Sequence, residues 1–197
     1  VTPIAELEPV VLAGATIKRA TLNNIEDIKR KDVYENSRVF VRRSNEVIPE
    51  IMGLAEKLES SKEIEVPSNC PSCGTTLLQK GPLLYCLNHL GCKEQVVDRL
   101  SHFCSREAFN IEGLSEKTAV ALYDNLGVRK LSDIFKLKEE DLLKLEKFKE
   151  KKAKNIINSI ENSKKVDLYR FLFALGISEV GVKTAKDLAK NFESLDN

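Results

Sequence analysis

Four of the chain's five cysteines fall in one short, polar stretch: Cys70-Pro-Ser-Cys73-Gly74, then Tyr85-Cys86-Leu-Asn-His89-Leu-Gly-Cys92. The spacing Cys-x2-Cys-x12-Cys-x5-Cys is close to that of zinc sites, in which four thiolates, or three and an imidazole, surround one ion as a tetrahedron. Pro71 and Gly74 suit the tight turn that brings two sulfurs to one ion. Four thiolates leave no position for water, so the site reads as a staple and not as a catalyst.

Spacing alone leaves the fourth ligand open. Cys86-x2-His89 would close a site of three thiolates and one imidazole, and Cys92 an all-thiolate site. Cys92 is favoured, because a cysteine this near a metal has little other role. Cys104 sits in the helix-like run Val96–Cys104, where a thiol belongs on an apolar face. A redox Cys-x-x-Cys opens a helix after a strand, and no such pattern surrounds Cys70.

The chain has 197 residues, 42% hydrophobic and 31% charged, with no Trp. This length suits one or two ordinary globular domains, or several small ones. No run reaches the roughly 18 apolar residues of a membrane helix. The start has no signal-peptide pattern, and metal-type cysteines fit a reducing compartment. Val1 in place of Met suggests a fragment or a processed chain. The net charge of +1 argues against a uniformly basic nucleic-acid glove, so any grip on DNA must use local patches and backbone N–H groups.

Residues 1–66 read as β-rich. Leu7–Leu12 and Ala15–Leu22 are strand candidates joined by Ala13-Gly14. A short helix with an Asn cap fits 23–32, where Ile25 and Ile28 lie three apart. Arg38–Arg42 and Glu46–Ile51 alternate. Short strands between turn signals suggest a small barrel or sandwich, and the size suits a five-stranded barrel of the OB type, a fold that binds nucleic acid on one face and through its loops. Residues 67–95 form the zinc module.

Residues 96–197 read as helical and repetitive. Glu116-Lys117-Thr118-Ala119 aligns with Glu150-Lys151-Lys152-Ala153 and with Val182-Lys183-Thr184-Ala185, so the alanines lie 34 and 32 residues apart. An apolar helical run and a short turn precede each, and a second helix follows. A period near 33 means one supersecondary unit reused, here helix, hairpin, helix. The hairpin leads to a helix N-terminus, where free N–H groups and the dipole attract an anion. Lys117, Lys151 and Lys183 add charge where a phosphate would sit. Such a unit would grip a nucleic-acid backbone without reading sequence; the alternative is a helical repeat that serves as a protein scaffold.

Several segments, in this order, resemble the bacterial NAD-dependent DNA ligases: Leu7-Glu-Pro-Val10, Ala20-Thr-Leu-Asn-Asn24, Val41-Arg42-Arg43-Ser-Asn-Glu-Val47-Ile48-Pro49, Cys70-Pro-Ser-Cys73-Gly74 and His102–Leu114. The resemblance covers essentially the whole chain. It implies a multidomain α+β protein comprising a small OB-type β-barrel (1–66), a four-cysteine zinc finger (67–95) and an all-α helix-hairpin-helix domain (96–197) of about three motifs, with the fourth truncated. It implies structural zinc on Cys70, Cys73, Cys86 and Cys92, which decides against His89. Arg43, Val47 and Ile48, with Arg42 beside them, match OB positions along the minor groove near a nick. Gly113 and Gly181 would let backbone close on phosphates, whereas Lys147 and Lys149 occupy the glycine positions of the second hairpin.

The resemblance further implies a partner, nicked double-stranded DNA, and a role in replication and repair. The parent enzyme uses NAD and magnesium, bound outside this portion. The family's nucleophile lies in Lys-x-Asp-Gly, and no Asp-Gly dipeptide occurs in the 197 residues, so no catalytic residue is expected and the portion alone should be inactive. A monomeric, cytoplasmic, nucleoid-associated protein with no membrane or small-molecule site is expected. The alternative is a stand-alone repair scaffold with the same DNA-binding modules and no ligase chemistry.

Overall fold

A computed structural model describes residues 1–44, 48–192 and 194. The chain divides into two compact units, Val1–Leu87 and Asn88–Asn197.

In the first unit, β1 (Ile4–Leu12) and β2 (Ala15–Thr21) form an antiparallel hairpin. Leu12 pairs with Ala15 across Ala13-Gly14, whose φ angles are 47° and 76°. Two positive φ angles in a two-residue loop match the right-handed twist of the strands. Helix α1 (Ile25–Arg30) begins at Asn24, whose side chain accepts the Asp27 N–H at 2.9 Å. Strands β3 (Arg38–Ser44) and β4 (Ile48–Glu56) complete a sheet of order β1-β2-β4-β3, in which β2 and β4 run parallel.

Register shifts in β1 and along β3–β4 mark bulges, which curve a sheet. The curved sheet and α1 enclose Ala20, Leu22, Ile28, Val33 and Ile51. Among the described residues this OB sheet has four strands where five are expected from sequence. The Glu35–Lys62 bridge extends pairing beyond them. The same unit holds the hairpin of β5 (Leu77–Lys80) and β6 (Leu83–Cys86), which the sequence reading does not separate from the metal loops.

The second unit is helical. Helix α2 (Lys93–Cys104) packs on α3 (Glu116–Leu126), α4 (Glu139–Leu143) on α5 (Glu150–Asn162), and α6 (Leu168–Ala174) on α7 (Val182–Phe192). A 3₁₀ turn at Leu131–Lys136 lies between the first pair and the second. Ala119, Ala153 and Ala185 are all buried, at 2% exposure or less. Each N–H donates to the residue capping its helix: Ser115, Lys149 or Gly181. The repeat seen in sequence is therefore a repeat of geometry, with a methyl-sized side chain where paired helices come together. One continuous core runs from Val96 to Ala174. Among the described residues no helix is long and apolar enough to cross a membrane.

Candidate metal centre and nucleic-acid interface

The cysteine cluster is built by two turns. In the first, Gly74 has φ 73° and its N–H donates to Cys70 O at 2.8 Å, while the Cys70 N–H donates to Thr75 O at 2.8 Å. In the second, the Gly91 N–H donates to Asn88 Oδ1 and the Cys92 N–H to Asn88 O, both at 2.9 Å. Cys92 then caps α2. The sulfurs of Cys70, Cys73, Cys86 and Cys92 all lie within 4.8 Å of one another. Cys73 and Cys86 are 3.5 Å apart, far beyond a bond length of about 2.05 Å. A zinc ion with bonds of about 2.3 Å holds its sulfurs about 3.8 Å apart, so the cluster has the dimensions of a thiolate tetrahedron.

Hydrogen bonds from Thr75, first its hydroxyl and then its backbone N–H, outweigh burial and, with the neighbouring thiols of Cys86 and Cys70, pull the Cys73 thiol down to about 6. His89 is exposed, stands outside the cluster and lies 2.8 Å from Gln95 Oε1 through Nδ1. Cys104 is buried in the helical core, where burial pushes its thiol up to about 12. It behaves as a small apolar residue, as its sequence context indicates.

At the end of the OB sheet, β3 and β4 set Arg42 opposite Glu50, Arg43 opposite Pro49 and Ser44 opposite Ile48. Arg42 Nη2 lies 3.3 Å from Glu50 Oε2, and Arg43 Nη1 lies 3.5 Å from Ala13 O. Ile48 is 59% exposed, which takes it out of the barrel core. Val47 lies outside the described residues.

Lys117, Lys151 and Lys183 each occupy the second position of their helices and are exposed. The three hairpins share a left-handed residue at the same step, with φ 85° at Gly113, 67° at Lys147 and 66° at Glu179. From sequence, Lys147 and Lys149 predict a second hairpin whose backbone stands off. In the structure Lys147 itself takes the left-handed turn. Gly181 stands at the capping position and has no left-handed φ. The first hairpin is committed to its neighbour. The Glu112 N–H donates to Ser159 Oγ of α5 at 2.8 Å, and Thr118 Oγ1 donates to Gly113 O at 3.0 Å.

The first two hairpins and α5 line a groove of about 1070 Å³. Lys147, Lys149, Lys151, Lys152, Lys165 and Arg170 line it, with Glu112 and Asp167 the acids among the lining residues. Lys152 Nζ lies 3.7 Å from the Phe148 ring centroid, which fixes that cation beside the hairpin. The sequence reading counts one lysine per hairpin. It misses this convergence because Lys165 and Arg170 come from the segment after α5, and only folding brings them to the same groove.

Residues 1–63 match the NAD-dependent DNA ligase OB-fold domain family, residues 105–162 the SAM-like helix-hairpin-helix tandem, and residues 170–197 a helix-hairpin-helix motif. Over 198 aligned residues covering the whole chain, it is 57% identical to a DNA ligase of Clostridium botulinum (strain Loch Maree / Type A3) and 58% identical to one of Clostridium tetani. It is 56% identical to DNA ligase 2 of Clostridium acetobutylicum over the same span. The chain covers 30% of the length of each of these relatives. Identity sustained end to end, over a ligase-type OB sheet and paired helical hairpins, means that the chain belongs to the bacterial DNA ligase family and represents a portion of such a ligase.

Proposed function

We propose that the chain is the DNA-binding portion of an NAD-dependent DNA ligase that seals nicks in duplex DNA, and that it positions the nicked duplex. The groove beside the second hairpin carries this reading. Lys147, Lys149, Lys151 and Lys152 cluster in sequence at the start of α5, whose first N–H groups have no partner within the helix, while Lys165 and Arg170 line the groove further along. Helix dipole, free N–H groups and lysines then act on one phosphate together. Arg42, Arg43 and Ile48 at the end of the OB sheet supply a second contact of different character, in which guanidinium bridges phosphates and an apolar side chain rests on sugar. Val47 belongs to this contact by the family resemblance. In the helical unit, Lys151 is the principal phosphate contact and Lys117 and Lys183 are its counterparts; Gly113 shapes the first turn, and Gly181, at the capping position of α7, leaves open space for a close backbone approach.

Zinc bound by Cys70, Cys73, Cys86 and Cys92 would be a structural cross-link and would take no part in reaction chemistry. NAD, magnesium and lysine adenylation belong to the parent enzyme. The 197 residues hold no Lys-x-Asp-Gly motif and are inactive by themselves. The protein acts as a monomer in the bacterial cytoplasm, at the nucleoid. Gel-shift titration with nicked, intact and single-stranded DNA tests the reading, and nicked duplex should be retained most strongly. Equal affinity for single strands would contradict a duplex-positioning role. Transfer of labelled AMP from NAD to the chain would contradict the assignment of adenylation elsewhere.

A further inference from the structure

We propose that Glu50, held from beneath by the buried Lys31, is a positioning residue that presents the Arg42 guanidinium to a DNA phosphate. The proposal rests on the reading of the OB sheet as a DNA surface.

Four charges run in line from the interior of the first unit to its surface. Asp27 on α1 and Lys31 at its C-cap pair at 2.7 Å, with side chains 9% and 6% exposed. Lys31 Nζ lies 3.4 Å from Glu50 Oε1, and Glu50 Oε2 lies 3.3 Å from Arg42 Nη2. Glu50 is 21% exposed and Arg42 57%. The inner end is fixed. Asp27 accepts from Asn23 Nδ2 at 2.9 Å and pairs with Arg30, the Lys31 N–H donates to Asp27 O, and Lys31 O accepts the Leu54 N–H at 3.1 Å. Glu50 itself sits where β4 pairs with both β3 and β2.

An exposed ion pair usually contributes little, because both side chains must be ordered to make it. Here strand pairing and Lys31 have already ordered Glu50, so only Arg42 has freedom to lose. A guanidinium carries five N–H donors, and Glu50 engages it at Nη2. The rest of the fork can hold a phosphate without releasing the carboxylate. The buried Lys31 keeps part of the Glu50 charge compensated, which lowers its repulsion of an incoming phosphate.

The sign of one effect separates positioning from simple charge. Removing a carboxylate from a DNA-facing surface should tighten binding by Coulomb's law alone. If Glu50 positions Arg42, removing it should weaken binding. The test is fluorescence anisotropy of the 197-residue chain on labelled nicked duplex over a salt series, with Arg42→Ala, Glu50→Ala, the double variant and Glu50→Asp. Glu50→Ala should weaken binding roughly 3- to 10-fold. Its log-affinity against log-salt slope should fall by about 0.9, as in Arg42→Ala. The double variant should be no worse than Arg42→Ala. Glu50→Asp keeps the charge and the Lys31 pairing but draws the carboxylate back, and it should weaken binding too. Tighter or unchanged binding in both Glu50 variants, with Arg42→Ala weakened, overturns the positioning role alone. Unchanged binding in Arg42→Ala overturns the DNA-facing reading of the sheet beneath it.

Discussion

Gly113 and Ile156 approach so closely that a β-carbon at 113 would lie 2.8 Å from Ile156 Cγ1. Real contacts of a β-carbon are longer, and the φ of 85° at Gly113 is itself costly for any other residue. The glycine is required by packing on α5 as much as by any ligand. Gly113→Ala should therefore destabilise the helical unit by roughly 2 kcal/mol, from strain plus overpacking. Thermal unfolding of the two proteins checks this. A lower DNA affinity in that variant would report damage to the fold. Gly181 has no atom within 4 Å of such a β-carbon, so Gly181→Ala should melt close to the parent.

Lys147 adopts φ 67° without being glycine. Left-handed backbone costs an L-residue about 1 kcal/mol. Lys147→Gly should recover about that much stability, less the entropy that glycine loses on folding. It also removes one cation from the groove. The melting temperature should therefore hold or rise while affinity for duplex falls and the salt slope drops by about 0.9. Affinity that follows stability upwards would mean that the Lys147 side chain does not meet DNA.

The architecture was legible wherever a local pattern has one physical solution. The Asn24 cap, the Ala13-Gly14 turn and the alanine repeat each translate directly into backbone geometry. The choice of Cys92 over His89 followed from sulfur chemistry and resemblance, and the sulfurs do converge. The β5–β6 hairpin was hidden, because Leu77–Lys80 and Leu83–Cys86 are four-residue strands too short to show alternation. The left-handed turn of the second hairpin has no glycine to mark it in sequence, because Lys147 adopts that backbone itself. The ion line from Asp27 to Arg42 was invisible for a different reason: it joins α1, β4 and β3 through contacts that no sequence period encodes.

The cysteine cluster should take up one zinc per chain. Such sites bind metal as part of folding, and little apolar sequence supports residues 67–76. Cys73→Ser should lower the zinc content found by elemental analysis and expose this segment to protease. His89→Ala should keep full occupancy. Zinc retained in Cys92→Ser but lost in His89→Ala would reverse the assignment of the fourth ligand.

Asp27 provides a pH test. Burial pushes its carboxyl up, but hydrogen bonds from Lys31, Asn23 and Arg30 outweigh it and bring the group down to about 2. An unfolded aspartate titrates near 3.9. The contribution of Asp27 to stability is then complete above about pH 4 and is lost as pH falls towards 2. Asp27→Asn should flatten that part of the acid-unfolding curve. At pH 7 it should cost on the order of 2–3 kcal/mol, since Lys31 stays buried with Glu50 still beside it. An unchanged acid limb would mean that the network does not persist in solution.

The central claim is that this chain holds duplex DNA through a cationic groove at the second hairpin. The most direct measurement is the affinity of the 197-residue chain for nicked duplex as a function of salt, for the parent and for a Lys149→Ala/Lys151→Ala variant that keeps its melting temperature. The parent should bind at low salt with log affinity falling linearly against log salt. The variant should bind more weakly to every sequence, with the slope reduced by about 1.8, two phosphate contacts. A variant with the parent's affinity and slope would contradict the claim.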